Sequence, residues 1–172
     1  MKKIICLLSI LILPALARAE FGTRIASITP SPMACMDWTL AGGSITTVNT
    51  AGVYELAAGT SALVTSLLFE KKGDAGVTYT GEVTRAFLVV VSGCMGTQSV
   101  VATSPSVAIF KNGNKTPFVT QFFLPTQLKS TAFAINGIVT LATGDYIDLR
   151  ITSDDADDIA ICGIQMTVTA AN

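Results

Sequence analysis

The feature that most constrains the fold of this chain is a succession of short runs rich in Val, Ile, Thr, Phe and Tyr, separated by Gly, Pro, Asn, Asp and Ser. Such runs are typical of β-strands, and the residues between them are those that tight turns require. From Gly22 onward the turn residues recur at strand-length intervals, while apolar residues at helical spacing are scarce. The sequence therefore predicts an all-β domain of about ten strands, as a two-sheet sandwich or a closed barrel.

The individual strands are predicted near Arg24 to Ile28, Ser44 to Val48, Val53 to Ala57, Leu63 to Phe69, Val77 to Tyr79, Ala86 to Ser92, Ser106 to Lys111, Phe118 to Leu124, Ser130 to Ala142, Asp145 to Thr152, and Ile159 to Ala170. Within the ninth of these, the dipeptide Asn136-Gly137 predicts a bulge or a tight turn. In the last one, alternation predicts one face with Cys162, Ile164, Met166 and Val168, and a second face with Gly163, Gln165, Thr167 and Thr169. This alternation is that of a half-buried antiparallel strand.

The first 19 residues have the order of a secretory signal peptide. Lys2 and Lys3 precede an apolar run, which ends before the small-residue triplet Ala17-Arg18-Ala19. We expect cleavage after Ala19 and a secreted, periplasmic or cell-surface location. The apolar run is about half of the roughly 20 residues that a membrane span requires, and no later stretch is long and apolar enough, so no membrane span is expected.

The remaining chain has the length of one domain. Pro30, Pro32 and the pair Gly42-Gly43 predict an irregular segment before the main strands. We therefore divide the chain into a signal peptide at residues 1–19, an irregular N-terminal arm at residues 20–43, and a β-domain at residues 44–172.

Charge and hydropathy restrict the partners. The chain has 11 basic and 12 acidic side chains, and cleavage removes three basic ones, Lys2, Lys3 and Arg18, which leaves a mildly acidic domain. Nucleic-acid binding requires concentrated Lys and Arg, so we expect no nucleic-acid partner. Only 13% of the residues are charged and half are apolar, against about 25% charged in ordinary soluble domains. Either apolar surface is hidden between subunits, or a monomer buries its strands on both faces.

The sequence offers little for catalysis. It contains no His, which excludes a His-based triad and removes the commonest general base. No Gly-x-Ser-x-Gly elbow is present, and the Gly-rich stretches at 42–43 and 73–76 lack the Gly-Lys-Ser/Thr ending of a phosphate loop. We expect a non-enzyme without a cofactor. The sequence does not exclude a carboxylate pair for glycoside hydrolysis, because Asp and Glu residues become neighbours only when the chain folds.

An acidic run lies between the last two predicted strands, and its carboxylates are those of Asp154, Asp155, Asp157 and Asp158. Closely spaced carboxylates repel one another unless a cation or solvent screens them, and calcium prefers oxygen ligands. The run is therefore the candidate calcium site of the chain. It lacks the Gly and the terminal Glu of a helix-loop-helix calcium loop, so a solvated polar turn is the alternative.

Three cysteines remain after cleavage, Cys35, Cys94 and Cys162. An odd number in an oxidising compartment leaves at least one thiol that is free or pairs between chains. No CxxC motif is present.

The second half of the chain contains an ordered set of elements. They are Tyr79-Thr80-Gly81, Arg85 to Val91, Phe110 to Asn114, Ile138 to Leu141, and Gly144 to Leu149. In this order and separation they resemble the trimeric jelly-roll superfamily of tumour-necrosis-factor-like domains and complement globular heads. The resemblance is strongest to the versions found in phage and viral structural proteins and in bacterial surface proteins.

The resemblance covers roughly Val53 to Ala171 and implies a ten-stranded antiparallel jelly roll of two packed sheets. It further implies that three copies associate through apolar faces and bind a partner through loops or through grooves between subunits. In this topology the third and the last strand are antiparallel neighbours. The resemblance therefore implies a disulfide between Cys94 and Cys162, with Cys35 free or intermolecular.

These observations predict a secreted, non-catalytic, homotrimeric module that binds a protein or glycan partner. Its binding loops are predicted at Thr97 to Pro105 and Ser153 to Asp158. One alternative is a structural subunit of a surface or virion assembly, although the signal peptide favours a bacterial exported protein over a virion role. A lesser alternative is a carboxylate-dependent glycoside hydrolase.

Overall fold

Strands and connecting loops make up the whole of the described chain. The computed structural model describes residues 31–39, 44–97, 100–125 and 130–171. The predicted signal peptide and the predicted strand at Arg24 to Ile28 lie outside these residues. The described part of the chain contains no helix that could cross a membrane.

Twelve strands are present in the described residues. They are β1 (Met33–Thr39), β2 (Ser44–Thr46), β3 (Glu55–Leu56), β4 (Thr60–Leu67), β5 (Phe69–Lys72), β6 (Gly76–Tyr79), β7 (Arg85–Thr97), β8 (Ser106–Lys111), β9 (Asn114–Gln121), β10 (Ser130–Leu141), β11 (Tyr146–Thr152) and β12 (Ile159–Ala170). The bounds of β8 and β12 agree with the sequence prediction, and most others differ by a few residues.

The strands form two six-stranded antiparallel sheets. Sheet 1 has the order β10-β7-β12-β1-β4, with β2 paired to β12, and sheet 2 has the order β5-β6-β11-β8-β9, with β3 paired to β11. The two sheets pack face to face, and the chain passes repeatedly from one to the other. This arrangement confirms the predicted all-β, two-sheet jelly-roll sandwich.

The core fills the space between the sheets. Alternate residues of the central strands point inward and have no solvent exposure, among them Phe87, Val89 and Val91 of β7 and Ile147, Leu149 and Ile151 of β11. Three rings meet at one place, where the Phe87 centroid lies 5.2 Å from Phe69 and 4.9 Å from Tyr79 in edge-on geometry. Such ring contacts add to the free energy of burial.

Two segment predictions are wrong. Met33–Thr39, placed in the irregular arm, forms β1 between β12 and β4, because Ala34 and Met36 alternate inward and bury their side chains. The run from Leu63 to Phe69 is not one strand. Leu68 has a φ of 62°, and this left-handed residue turns the chain from β4 in sheet 1 to β5 in sheet 2.

The dipeptide Asn136-Gly137 forms neither a bulge nor a turn. β10 pairs with β7 without interruption, and Asn136 and Gly137 stand opposite Val90 and Val89. Glycine is required for a different reason, since a Cβ at position 137 would overlap the ring of Phe118. The aromatic ring therefore covers a glycine inside a regular strand.

We expect Gly137→Ala to destabilise the protein by about 1–3 kcal/mol, because the added methyl group overpacks the site. Chemical denaturation of Gly137→Ala, Phe118→Ala and the double variant measures the effect. The cost of the double variant is expected to be less than the sum of the single ones, since removal of the ring makes room for the methyl group. Additive costs would contradict the contact.

Asp145 connects two turns at one end of the sandwich. Its carboxylate accepts hydrogen bonds from Lys111 Nζ at 2.8 Å, the Ala142 backbone N–H at 2.8 Å and Asn112 Nδ2 at 2.7 Å. The hydrogen bond from Lys111 and the one from Ala142 lower the pKa of Asp145 from 3.8 to about 2. The ionised form therefore stabilises the folded state.

We expect a pH-dependent loss of stability from this residue. The folded pKa of Asp145 lies below the unfolded value, so the stabilisation is complete above pH 3.8 and disappears as the pH falls toward about 2. Its side chain is 19% exposed, and with solvent screening the contribution is about 1–2 kcal/mol. Urea unfolding of Asp145→Asn should show this loss at neutral pH and a smaller further loss on acidification than the unchanged protein shows.

Candidate binding surfaces

Four loops meet at one end of the sandwich, which we call the loop end: residues 49–53, 100–105, 122–125 and 153–158. The Gly52 N–H donates to the Ser153 carbonyl at 2.8 Å, and Thr103 forms a two-way backbone bridge with Leu124. Thr103 Oγ1 and Ser153 Oγ are 2.7 Å apart and buried. The structure thus joins the two loops that the sequence analysis proposed for binding.

Asp154 links the acidic loop to the loop at residues 100–105. Its carboxylate accepts the Ser104 N–H at 2.7 Å and the Thr103 hydroxyl at 2.9 Å. The hydrogen bond from the Ser104 N–H, above all, lowers the pKa of Asp154. Within the same loop Ala156 has a φ of 56°, so the chain turns sharply between Asp155 and Asp157.

The four carboxylates of the acidic run are not gathered around one point. Among the described residues, no three His, Cys, Asp or Glu side chains are grouped as a metal ion would require. Asp154 is engaged by the neighbouring loop, and Asp157 Oδ2 is buried without a hydrogen-bond partner. Calcium binding by Asp154, Asp155, Asp157 and Asp158 stays a prediction, which a comparison of melting temperatures with calcium and with a chelator would test.

Three loops of the loop end carry exposed apolar side chains. Val53 is exposed, Val100 is 75% exposed and Phe123 is 60% exposed. Isolated apolar side chains are normal on a surface, but several on the loops of one end make that end a candidate contact surface. The loop end therefore offers apolar contacts beside carboxylates.

The outer face of sheet 1 is a second candidate surface. The six strands of this sheet contain two charged residues, Asp37 and Arg85, whereas the six strands of sheet 2 contain eight. Asp37 accepts a hydrogen bond from Gln165 at 3.0 Å. One row across five strands consists of Ile138, Leu88, Thr169, Met33 and Leu67. The face is broad, almost uncharged and partly apolar.

Cys94 and Cys162 are neighbours on this face. β7 and β12 pair antiparallel, with Cys94 opposite Gly163 and a bulge between Ile161 and Gly163. The prediction that Cys162 faces the same way as Ile164 is wrong, because the bulge buries Ile161 and Ile164 and leaves Cys162 exposed. The three described thiols are free.

The surroundings of Cys162 affect its acidity. Desolvation of the sulfur by neighbouring strand atoms, followed by the Cys94 thiol, raises the pKa of Cys162 to about 11. The residue as a whole is exposed, so this desolvation is local rather than full burial. The thiol form therefore dominates at neutral pH.

A third candidate surface, which was not predicted from the sequence, lies on the outer face of sheet 2. Arg150 donates from Nε to Asp148 at 2.8 Å and stands 4.5 Å above the Phe110 ring. Lys72 Nζ lies 4.9 Å from the Tyr146 ring centroid. The alternation Tyr146-x-Asp148-x-Arg150 was the available signal, since it places three large polar side chains on the face opposite Ile147 and Leu149.

Comparison with solved structures identifies the fold. The chain is similar to the crystal structure of murine APRIL at 13% identity, with a TM-score of 0.51 over 80% of this chain and 98% of that one. It is also similar to the structure of Eiger TNF from S. frugiperda at 10% identity, with a TM-score of 0.56 over 84% of this chain and 95% of that one. No protein-family model and no curated protein sequence matches the chain. The two likenesses show that this chain has the tumour-necrosis-factor-like jelly-roll fold.

Proposed function

We propose that this chain is a secreted, non-catalytic binding module that assembles as a homotrimer and binds a protein partner through its loop end. The observation that carries the proposal is the contrast between the two sheets. Sheet 2 carries most of the charged strand residues, while the outer face of sheet 1 is almost uncharged. A large face without charge is typical of a surface that a second subunit covers.

Further copies of this chain are the occupants that the face fits. Leu88 and Val90 are both 39% exposed, and Ile138 is 59% exposed. In the resemblance described above, three copies associate around an axis through apolar faces. A closed ring of three would bury such side chains on every subunit and leave no open end for further growth.

The loop end remains available in such a trimer, because it lies at one end of the sandwich rather than on a sheet face. Its loops are held by the Thr103 to Ser153 and Asp154 to Ser104 contacts. A partner therefore meets a surface that is already ordered, which lowers the entropy lost on binding. Exposed Phe123 and Val100 supply the apolar contacts and the acidic loop supplies charge.

The solution mass of the exported protein tests the assembly. Light scattering on a size-exclusion column, over a range of protein concentrations, is expected to give the mass of three chains throughout. A single chain would overturn the trimer. Continued growth with concentration would overturn it in favour of a structural subunit of a larger assembly.

Binding through the loop end is tested with a partner isolated on the immobilised trimer and then purified. Phe123→Ser is expected to weaken binding of this partner by about tenfold or more, which corresponds to about 1.4 kcal/mol. Val83→Ser is the matched control, since Val83 is exposed in the turn before β7. Equal binding by both variants would contradict the loop end as the binding surface.

The glycoside-hydrolase alternative receives no support from the described cavity. The two carboxylates that line the cavity beside β11 are both paired with cations, Asp148 with Arg150 and Asp74 with Lys71. Retaining hydrolysis requires one carboxylate that is free to attack and one that carries a proton.

We expect a disulfide between Cys94 and Cys162 in the exported protein, and Cys35 outside this bond. The positions on adjacent antiparallel strands favour the bond, and closure would add about 3–5 kcal/mol of stability. Because the pKa of Cys162 is raised to about 11, closure should accelerate as the pH rises. Peptide mass spectrometry without reduction tests the pairing, with Cys35→Ser as the control that keeps it. Unlinked Cys94 and Cys162 in oxidised protein would contradict it.

A further inference from the structure

We propose that the outer face of sheet 2 holds a second binding site, which takes one neutral sugar ring such as the terminal residue of a glycan. The site is a shallow cavity beside β11, and its walls include Leu56, Lys72, Ala75, Tyr146, Asp148 and Arg150. It is separate from the loop end and from the outer face of sheet 1. The inference therefore goes beyond the proposed protein partner.

The cavity exists because two short strands share one side of β11 without meeting. β6 pairs with Tyr146 to Asp148, and β3 pairs with Arg150 and Ile151. Leu149 lies on β11 between these two pairings, and both of its backbone groups are hydrogen-bonded. Its N–H donates to the Ala75 carbonyl, and its carbonyl accepts the Ala57 N–H. A ligand in the cavity therefore does not compete with these two backbone hydrogen bonds.

The size of the cavity restricts the ligand. Its volume is about 190 Å³, below the roughly 300–1,000 Å³ of sites that enclose drug-sized molecules. One ring-sized group fits, and the open side allows the rest of a longer molecule to extend into solvent.

Asp148 and Arg150 form an ion pair on the outer face of sheet 2, in which the carboxylate is buried and the guanidinium is partly exposed. Asp148 accepts two hydrogen bonds from Arg150, at 2.8 and 3.2 Å, and the two side chains are 5% and 24% exposed. Burying such a pair costs desolvation free energy, and an apolar pair is often as stable. On the outer face of a sheet the pair serves to hold a guanidinium and a carboxylate in fixed positions.

The remaining walls complete a mixed surface. Lys72 lies over the Tyr146 ring, and none of the described carboxylates forms an ion pair with it. Its ammonium keeps hydrogen-bond donors for a ligand. Leu56, 54% exposed, and Ala75 provide apolar contact.

The mixture of cations and carboxylates in the wall favours a ligand with hydroxyl groups. The cavity has two cations, Lys72 and Arg150, and two carboxylates, Asp74 and Asp148. A sugar hydroxyl both donates and accepts hydrogen bonds, so it can use both kinds of group, while the C–H face of the ring packs on Leu56. An anionic ligand would meet the carboxylates, and a cationic ligand would meet Lys72 and Arg150.

The site stays open in the proposed trimer, because the outer face of sheet 2 points away from sheet 1. Three copies would bind a multivalent glycan more tightly than one. A monomer that still binds sugar would overturn the proposed assembly but not this site, so the two proposals fail separately.

Saturation-transfer NMR of the full exported protein with neutral monosaccharides (glucose, galactose, mannose and fucose) tests the site, with sialic acid and glucosamine as charged comparisons. At least one neutral sugar is expected to bind. Leu56→Trp, which fills the cavity from its exposed rim, is expected to weaken that binding about tenfold or more. Lys115→Gln is the control on the same face, since Lys115 lies over Tyr54 outside the cavity.

Three results would overturn the inference: no binding of any neutral sugar, stronger binding of a charged comparison, or unchanged binding by Leu56→Trp. Asp148→Asn provides a second variant that keeps the shape of the side chain. It is expected to weaken sugar binding, and circular dichroism checks that the variant is folded.

Discussion

Replacement of Val90 by Asp is expected to convert the proposed trimer into single folded chains. Val90 lies on β7, one of the inner strands of sheet 1, and points to the outer face between Asn136 of β10 and Thr167 of β12. In a trimer formed through this face, three carboxylates would be taken out of water close to one another. Each buried, unpaired charge costs several kcal/mol, which exceeds what the contacts of one side chain return.

Light scattering measures this change directly, as a fall from three chains to one. Val83→Asp introduces the same charge at an exposed valine outside sheet 1, so it should keep the trimer. If Val90→Asp remains trimeric and folded, the outer face of sheet 1 is not the assembly surface.

The second large effect is expected from Phe87→Ala, which should lower the stability by about 3–5 kcal/mol. Phe87 has no solvent exposure, and its ring contacts Phe69 of β5 and Tyr79 of β6. The substitution removes the ring of sheet 1 that meets two rings of sheet 2 and leaves a cavity between the sheets. For a domain of this size the melting temperature should fall by about 10 °C or more.

Thermal unfolding at one fixed protein concentration measures this loss, because the proposed assembly would make the melting temperature depend on concentration. Phe123→Ala is the matched control, since the same side chain is removed from an exposed loop position. A similar fall in melting temperature for both variants would mean that the contacts of Phe87 with Phe69 and Tyr79 do not stabilise the packing between the sheets.

Much of the fold could be predicted because strand patterns are local. β12 shows the inward alternation of Ile164, Met166 and Val168 directly in the sequence, and β8 is bounded by turn residues on both sides. The all-β class and the antiparallel sheets follow from such patterns. The jelly-roll connectivity came from the order of elements in the resembling superfamily and not from the residues alone.

The predictions from sequence were wrong where the environment of a residue depends on residues far away in the chain. Gly137 is glycine because Phe118, from another sheet, lies over it, and the dipeptide alone suggested a bulge or a tight turn. Cys162 is turned outward by a bulge in the pairing of β12 with β7. The cavity beside Asp148 depends on β3 and β6 ending where they do along β11.

The sequence by itself determined the all-β class and most of the strand positions, because alternation and residue type are properties of neighbouring positions. Tertiary structure alone decided that Thr103 meets Ser153 and that Lys111 meets Asp145. These pairs form when strands far apart in the chain are aligned side by side, and the register of that alignment is set by the packing of the whole core.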